Sequence, residues 1–210
     1  MIKNKLDFIY YTEADRILAG RKNYFCGFLL VPTTVDPIGK FMYLLRSVEF
    51  YENCKSNFIR KIVKSYYKYR FKRISIQLGF SIPLNVFGPG LYIPHYGTII
   101  VNSNCTVGAN CVLHTSVCIA GSERKTIGDN AYFSTGVIVA GGIALADNIT
   151  ISANSLVNKS FSEENILIGG TPAKILKNRQ AWYFQDGEEY MRRVLEIEQL
   201  YSKLYASKSQ

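Results

Sequence analysis

The sequence predicts a mainly β fold, a parallel β-solenoid of six-residue repeats with helices at both ends. The first sign of it is a fixed spacing of hydrophobic residues. An aliphatic residue or phenylalanine recurs at Val101, Val107, Leu113 and Ile119, then at Ile127, Phe133, Val139, Leu145, Ile151 and Val157. Because 48% of the chain is hydrophobic, these matches in succession would arise by chance about once in a thousand sequences. A chain that coils around a prism of short strands returns to one face at this interval, whereas a helix or a single strand does not.

Two further regularities complete the repeat. A second candidate for the core lies four residues after most of these positions, at Cys105, Cys111, Val117, Ala131, Val137, Ile143, Ile149, Ser155 and Phe161. Small or turn-forming residues follow most repeat positions directly, at Asn102, Gly108, Ala120, Gly128, Ser134, Ala140, Ala146, Ser152 and Asn158. Such residues let the backbone turn a corner without a side-chain clash. The repeat therefore specifies a core and its corners, and coils must stack because one repeat cannot bury its own apolar face.

Three helices are predicted before the solenoid. Apolar residues at helical spacing predict the first over about 5–19. Asp36 before Pro37 is a helix-start signature, because aspartate caps free N–H groups and proline is tolerated in the first turn. A third helix should run from about residue 57 to the vicinity of Leu78, where the Gly- and Pro-rich stretch 79–90 ends it. We therefore expect a helical N-terminal region over 1–80.

The solenoid is expected over 81–177, and one irregularity stands out in it. Between Ile119 and Ile127 the spacing lengthens from six to eight residues, so residues 120–126 should bulge outward as a small polar loop that includes Arg124 and Lys125. Insertions of this kind are expelled from the stack and often build a binding site.

The segment 178–210 is predicted to form a C-terminal helix. Apolar and aromatic residues recur there at spacings of four, three, four and three, at Tyr190, Val194, Ile197, Tyr201 and Leu204. This pattern is typical of a helix that packs on the solenoid or on a neighbouring subunit.

Composition narrows the classes of partner. The net charge is +9, and a dense basic stretch over 60–73 is interleaved with tyrosines. Such a stretch could contact a polyanion, but a solvated helix face is the favoured interpretation, and no nucleic-acid partner is expected. The longest apolar run, 24–31, is too short to span a bilayer, and no signal-peptide pattern is present, so a cytoplasmic protein without a transmembrane segment is expected.

The cysteines predict neither a disulfide framework nor a metal site. They are Cys26, Cys54, Cys105, Cys111 and Cys118, an odd number without a CxxC pair. Cys105 and Cys111 occupy second core positions of adjacent repeats, where a small hydrophobe is required. We therefore interpret them as packing residues, because free cysteine is usually a buried, small apolar side chain.

Only two histidines are present, His95 and His114, and both are candidates for catalysis. Histidine is the side chain best suited to take up a proton near neutral pH, so either could act as a general base. They are 19 residues apart, whereas a three-sided coil of six-residue repeats takes about 18. The two histidines should therefore not occupy equivalent places.

Several motifs within the solenoid carry a resemblance to a known family. Residues 88–91 (GPGL), 95–98 (HYGT), 117–121 (VCIAG) and 169–174 (GGTPAK) resemble the hexapeptide-repeat acyltransferases. The similarity is to the serine-acetyltransferase-like branch, which includes sugar and polysaccharide O-acetyltransferases, and it covers about residues 75–177. The resemblance implies a left-handed parallel β-helix, an exception to the usual right-handed crossover. It also implies a homotrimer with active sites between subunits, which could pair into a dimer of trimers.

The resemblance further implies acetyl-CoA as the acetyl donor and a set of site residues. The histidine matching His95 deprotonates the acceptor hydroxyl, which attacks the thioester directly without an acyl-enzyme, and His114 is a second catalytic candidate beside it. Candidate contacts to the CoA part are Thr135, Ala153, Asn158, Lys159, Lys174 and Lys177. Candidate contacts to the acceptor are Tyr96 and Arg124, the latter at the loop position that reads the serine carboxylate.

Departures from the family pattern shift the expected acceptor. Serine acetyltransferases carry an acidic residue immediately before the catalytic histidine and another upstream, where this sequence has Pro94 and about Pro83. Proline side chains accept no hydrogen bond. We therefore expect a saccharide acceptor, of a capsular polymer, exopolysaccharide or lipopolysaccharide. Serine O-acetylation and a noncatalytic scaffold are the alternatives, and a zinc carbonic anhydrase is set aside because it needs three imidazole ligands.

Overall fold

A computed structural model of the protein describes residues 1–21, 36–55 and 57–206. Within them, three helices precede a parallel β-solenoid and two follow it. The helices are α1 (Lys5–Leu18), α2 (Pro37–Asn53), α3 (Phe58–Leu78), α4 (Trp182–Gln185) and α5 (Glu188–Tyr205). The three N-terminal helices lie where the sequence predicts them.

Local capping explains where these helices begin and end. The side chain of Asn4 accepts hydrogen bonds from the first turn of α1, and that of Asp36 accepts one from Gly39 N–H in α2. Asn57 caps α3 in the same way, through Arg60 N–H. Gly79 ends α3 with a φ of +78°, a conformation that glycine adopts without a Cβ clash.

Short strands in the described residues form the three faces of the solenoid. They are β1 (Phe80–Ser81), β2 (Ile99–Val101), β3 (Cys105–Val107), β4 (Val112–Leu113), β5 (Cys118–Ile119), β6 (Lys125–Ile127), β7 (Tyr132–Phe133), β8 (Ile138–Val139), β9 (Ala144–Leu145), β10 (Ile149–Ile151), β11 (Leu156–Val157), β12 (Ile166–Gly170) and β13 (Ala173–Asn178). Face A has the strand order β1-β2-β5-β8-β11, face B the order β3-β6-β9, and face C the order β13-β12-β10-β7-β4. Neighbouring strands run parallel, except that β13 folds back antiparallel on β12.

The predicted repeat is confirmed by burial. Every one of the six-residue positions from Val101 to Val157 is at most 4% exposed, and the second positions from Cys105 to Phe161 are buried as well. Equivalent strands pair in register, as Ile138 with Leu156 and Ile149 with Ile166. Side chains from successive coils therefore stack into one continuous core.

The predicted lengthening of the repeat after Ile119 is present, but Lys125 does not belong to the outward loop. Cys105 pairs with Lys125, an offset of 20 residues, whereas Ile100 pairs with Cys118, an offset of 18. Lys125 was expected in the outward loop and instead lies fully buried at a core position. Its ammonium group donates to the carbonyls of Gly121 (3.1 Å) and Glu123 (3.0 Å), which offsets part of its desolvation. The loop is therefore 120–124, and Lys125 fastens it to the core from inside.

A ladder of asparagines marks the corner between faces B and C. Asn110, Asn130 and Asn148 all have positive φ, between +54° and +59°, which asparagine tolerates better than most residues. Their side chains join successive coils, Asn110 to Asn130 at 3.1 Å and Asn130 to Asn148 at 2.8 Å. The indole N–H of Trp182 donates to the carbonyl of Asn110, so α4 is attached at this corner.

The C-terminal helix α5 packs on α1 and also contacts the solenoid, where the ring of Tyr190 lies 6.1 Å from that of Tyr92. The expected packing on the solenoid is thus present, and the contact with α1 is an addition to it. Val194 and Ile197 are buried in a cluster with Leu18 of α1, which also includes Val112 and Trp182. The hydroxyl of Tyr205 donates to Asp7 at 2.5 Å. The periodic pattern correctly predicted an apolar helix face, but the element that covers it depends on the tertiary fold.

The described residues cover only part of two further predictions, which concern the cysteines and the membrane-spanning potential of the chain. Cys105 and Cys111 are buried, and burial raises the pKa of Cys105 to about 11. Cys26 and the apolar run 24–31 lie outside the described residues. Among the helices of the described segments, none is both long and apolar enough to cross a membrane.

A buried ion cluster joins the helices to the first coil. Arg46 of α2 is fully buried and donates to Asp15 of α1 at 2.8 Å and to Glu49 at 3.0 Å. It also donates to the carbonyls of Phe87 (2.9 Å) and Gly88 (2.7 Å). In return, Asp15 accepts from Leu91 N–H, and Glu49 accepts from Asn85 N–H, both at 2.7 Å. One guanidinium therefore ties α1, α2 and the segment 85–91 together.

We expect Arg46→Met to lower the free energy of unfolding by about 3–5 kcal/mol, because it leaves two buried carboxylates without their cation. Urea unfolding followed by circular dichroism measures the change. The control is Lys68→Met, which removes an ion pair with Glu52 at the surface and should cost less than about 1 kcal/mol. Equal effects of the two substitutions would contradict this role for the cluster.

Candidate active site

Both histidines lie at the corner between faces C and A, in neighbouring coils. Tyr92 bridges to Val112, and Pro94 follows this bridge by two residues, as His114 does in the next coil. As predicted, the two histidines do not occupy equivalent places. The offset between the two coils is 20 residues at Tyr92 and Val112 but 18 at Ile100 and Cys118, so the coil of His95 has two more residues at this corner than the coil of His114.

The two imidazoles lie side by side at this corner. Their ring centroids are 6.2 Å apart, with an angle of 51° between the ring planes. His95 is exposed and His114 is half-buried. A reacting atom placed between the rings could lie near hydrogen-bond distance of both, which is the geometry that a base and a neighbouring donor require.

The environment of His114 favours its neutral form. Its Nε2 lies 2.8 Å from the hydroxyl of Tyr132. Burial lowers the pKa of His114, the neighbouring His95 lowers it further, and the carboxylate of Asp186 acts in the opposite direction. Burial also raises the pKa of Tyr132. The hydroxyl therefore keeps its proton and is able to donate to Nε2, in the tautomer of His114 whose other ring nitrogen carries the hydrogen.

Tyr132 and Trp182 are the site residues that the sequence analysis missed. Tyr132 lies directly above Val112 in face C, and its ring is 6.0 Å from that of Trp182. The repeat could have revealed Tyr132, because it precedes the core position Phe133 as Val112 precedes Leu113, and the two residues are therefore equivalent in successive coils. Trp182 lies beyond the repeats, so no periodic signal marks it.

A column of small residues continues the corner below His95. Thr115, Thr135 and Ala153 are equivalent in successive coils, and Gly136 N–H donates to Thr115 and Asn154 N–H to Thr135. Thr135 and Ala153 are exposed. With neighbouring coils about 4.8 Å apart, the column extends roughly 14 Å from the level of His95 to that of Ala153. Because these side chains are small, the backbone along this edge is open to an extended ligand.

The turn between β12 and β13 closes the far end of the column. Gly170 N–H donates to the hydroxyl of Ser155, and the hydroxyl of Thr171 donates to Asn154 at 3.4 Å. Lys174 pairs with Gly169 just after this turn and is exposed. The structure thus places Lys174 at the end of the corner that begins at His95.

Not all of the expected site residues share this corner. Tyr96 does, at 72% exposed. Asn158 and Lys159 follow β11 at the corner between faces A and B, and Arg124 belongs to the loop at that same corner. Lys177 lies at the opposite end of β13, where it lines a cavity of about 300 Å³ with Arg179. Within one chain, these four residues are therefore separated from His95.

Metal ligation is a separate question at this site. In the segments that the structure describes, no group of three His, Cys, Asp or Glu side chains is placed to hold a metal ion. Among the same residues, no side chain forms a hydrogen bond with the ring of His95. The described segments therefore show no group that orients this ring.

Comparison with known proteins identifies the fold. The gonococcal serine acetyltransferase in complex with serine aligns with a TM-score of 0.58 at 19% identity, over 82% of this chain and 70% of that one. The Brucella abortus enzyme in complex with coenzyme A aligns with a TM-score of 0.61 at 19% identity, over 84% and 70%. The fold is the left-handed β-helix of serine acetyltransferases. The predicted handedness is thereby confirmed.

Sequence comparison points to the same branch. Serine acetyltransferases of Staphylococcus aureus are 30% identical over 96 residues, which cover 43% of this chain and 45% of those proteins. A serine acetyltransferase of Staphylococcus epidermidis is 29% identical over the same length. The match thus spans less than half of the curated relatives, and no family model matches the chain. The predicted resemblance to the serine-acetyltransferase-like branch is confirmed.

The lowered pKa of His114 predicts a pH dependence of stability. The folded state holds this imidazole neutral, whereas the unfolded chain takes up a proton near its usual pKa of about 6.5. The stabilisation is therefore present above about pH 6.5 and is lost as the pH falls through the lower, folded-state pKa. Wild type should lose more stability than His114→Gln between pH 7 and pH 5, as measured by urea midpoints. Parallel losses would contradict the assignment, and Lys203→Gln on α5 serves as the control.

Proposed function

We propose that the protein is an acetyl-CoA-dependent O-acetyltransferase in which His95 is the general base. One observation carries the proposal. An exposed imidazole with a second histidine beside it begins an open column of small residues, in a solenoid similar to that of serine acetyltransferases solved with coenzyme A.

The chemistry needs a base at the moment of attack, because an alcohol has a pKa far above neutrality. His95 accepts the proton of the acceptor hydroxyl while its oxygen bonds to the thioester carbonyl carbon. The tetrahedral species then collapses, the carbon–sulfur bond breaks, and the imidazolium of His95 returns the proton to the leaving sulfur. The products are an acetyl ester and free CoA, and His95 regains its starting state without an acyl-enzyme.

His114 suits a different role in the same step. In the tautomer that accepts from Tyr132 at Nε2, the other ring nitrogen carries a proton that can be donated. A neutral donor beside the base can stabilise the negative charge that develops on the thioester oxygen. The low pKa of His114 also keeps a second positive charge away from His95, which must be neutral in order to accept a proton.

Acetyl-CoA fits the column as the second substrate. The open backbone beside Thr135 and Ala153 offers amide groups to an extended pantetheine arm, and the ammonium of Lys174 at the far end suits a phosphate. Asn158, Lys159 and Arg124 lie at another corner and Lys177 at the other end of the hairpin. They would join the same site only if it forms between subunits, so their proposed roles depend on the proposed homotrimer.

The comparisons favour serine as the acceptor over the saccharide that we expected from the sequence. The curated relatives are serine acetyltransferases, and one similar structure contains serine. A saccharide hydroxyl remains the second candidate, and it is favoured by Pro94. Proline has no carboxylate. A serine acceptor would need a carboxylate beside His95 to bind its ammonium group, whereas a sugar has no ammonium group to bind.

We expect His95→Ala to lower kcat/KM for acetyl transfer at least about 100-fold, because the step loses its base. Release of free CoA, detected with a thiol reagent, measures the rate. The control is Ser103→Ala, an exposed turn residue at the corner between faces A and B, which should keep full activity. Near-normal turnover of His95→Ala, with an unchanged melting temperature, would overturn the assignment.

Acceptor identity is tested in a separate assay. Free CoA should be released from acetyl-CoA on addition of L-serine. A panel of nucleotide sugars and purified glycans tests the second candidate in parallel, and turnover with these alone would replace serine by a saccharide. Absence of turnover with every acceptor would contradict the proposed function and support a noncatalytic scaffold.

A further inference from the structure

Helix α3 turns four large apolar or aromatic side chains away from the protein. At 100° per residue, Phe58, Ile62, Tyr69 and Ile76 project within an arc of about 40°. They are 77%, 58%, 65% and 72% exposed. The buried residues of the helix, Tyr67, Ile74 and Leu78, lie on the opposite side. A surface helix normally presents polar residues to solvent, so this arrangement is the reverse of the usual one. We call these four exposed residues the α3 stripe.

Cations border the α3 stripe on both sides. Lys61, Lys68 and Lys72 flank it on one side, and Arg70 and Arg73 on the other. The helix contains seven of the Lys and Arg residues of the chain and no Asp or Glu, and the sequence has no acidic residue between Glu52 and Glu123. Glu52 of α2 pairs with Lys64 and Lys68. No other described carboxylate forms an ion pair with this helix.

A cationic cavity opens beside the stripe. It has a volume of about 380 Å³ and is lined by Lys40 of α2 and by Tyr69, Arg70, Arg73, Ile74 and Gln77 of α3. Burial, followed by the charges of Arg70 and Arg73, lowers the pKa of Lys40. Three cations converge there without a carboxylate, so a bound anion would relieve their repulsion. Tyr69 belongs to both the stripe and the cavity wall, which makes them one continuous surface.

We propose that α3 docks on the surface of an anionic phospholipid membrane. The α3 stripe lies in the boundary between headgroups and acyl chains, the flanking cations face anionic headgroups, and the cavity beside Tyr69 receives a headgroup phosphate. An amphipathic helix with aromatic and aliphatic residues on one face and lysines and arginines beside them is the pattern of interfacial membrane binding. The proposal is independent of the proposed catalytic function.

The charges and the apolar residues together select this partner. A second copy of the chain could cover the apolar side chains, but it would bring two helices of like charge together without acidic residues to pair with. A nucleic acid or a soluble polyanion could pair with the cations, but it would not use four bulky side chains that point outward between them. Only an anionic lipid surface offers both negative charge and an apolar layer behind it.

Flotation of the full-length protein with lipid vesicles tests the proposal. Vesicles of phosphatidylcholine with about 30% phosphatidylglycerol should bind the protein, and vesicles of phosphatidylcholine alone should not. Binding should weaken at high salt, because the cationic contribution is screened. Failure of the wild-type protein to bind the anionic vesicles would overturn the proposal.

Matched variants separate the apolar and cationic contributions. Ile62→Ser with Ile76→Ser should weaken vesicle binding at least about tenfold, since two buried aliphatic side chains are lost from the lipid layer. Lys61→Gln with Lys72→Gln should weaken it by a similar factor. Leu195→Ser with Lys203→Gln, exposed residues of α5, is the control and should bind as wild type does. All these positions are exposed, so a melting temperature near that of wild type is expected.

Several outcomes would assign the surface to another partner. Vesicle binding that persists in the Ile62→Ser, Ile76→Ser variant would show that the apolar stripe is not inserted, and it would overturn the proposal. Heparin or duplex DNA that binds this variant and wild type equally, while vesicles bind neither, would assign a soluble polyanion. Binding of inorganic phosphate at about 10 mM that requires Arg70 and Arg73 but leaves vesicle binding unchanged, at constant ionic strength, would assign the cavity to free phosphate rather than to lipid.

Discussion

The stacking of coils in strict register is the constraint on which the rest of this structure depends. No single coil can bury its apolar face, so each inward side chain must lie on its equivalent in the next coil. The same register that aligns Val101 with Ile119 also aligns the corners. It places Thr115, Thr135 and Ala153 in one column, and the two imidazoles lie side by side at the top of that column. The candidate active site is therefore a by-product of how the core is packed.

The register is set at the start of the solenoid by a buried charge. Arg46 holds the carbonyls of Phe87 and Gly88, and Asp15 holds the N–H of Leu91, four residues before His95. The helices thus do more than cover the first coil, because they satisfy the backbone groups of an irregular segment that has no strand partner above it. A similar logic applies to Lys125, whose ammonium group satisfies the carbonyls of the loop that the longer coil expels.

The molecule carries two surfaces of contrasting character. The corner at His95 is built from small side chains and a polar cluster with shifted pKa values, as expected of a site for an extended ligand and a proton transfer. The outer face of α3 is built from large apolar residues and cations, and Glu52 is the one described carboxylate that pairs with them. The C-terminal end of α3 lies next to the corner at His95, because Gly97 N–H donates to the carbonyl of Leu78. The two proposals nevertheless rest on different residues.

The sequence by itself determined the parts of this protein that repeat or that are local. The six-residue period identified the repeating core positions from Val101 to Val157, and the residues Asp36, Asn57 and Gly79 marked helix ends, because capping and periodic burial depend on near neighbours in the chain. His95 and the small residues of its column were also within reach of the sequence. Only the tertiary structure decided the pairing of His114 with Tyr132, the burial of Arg46 and Lys125, and the packing of α5 on α1. Each of these depends on a contact between segments far apart in the chain or on a shift in coil length, and a periodic pattern contains information on neither.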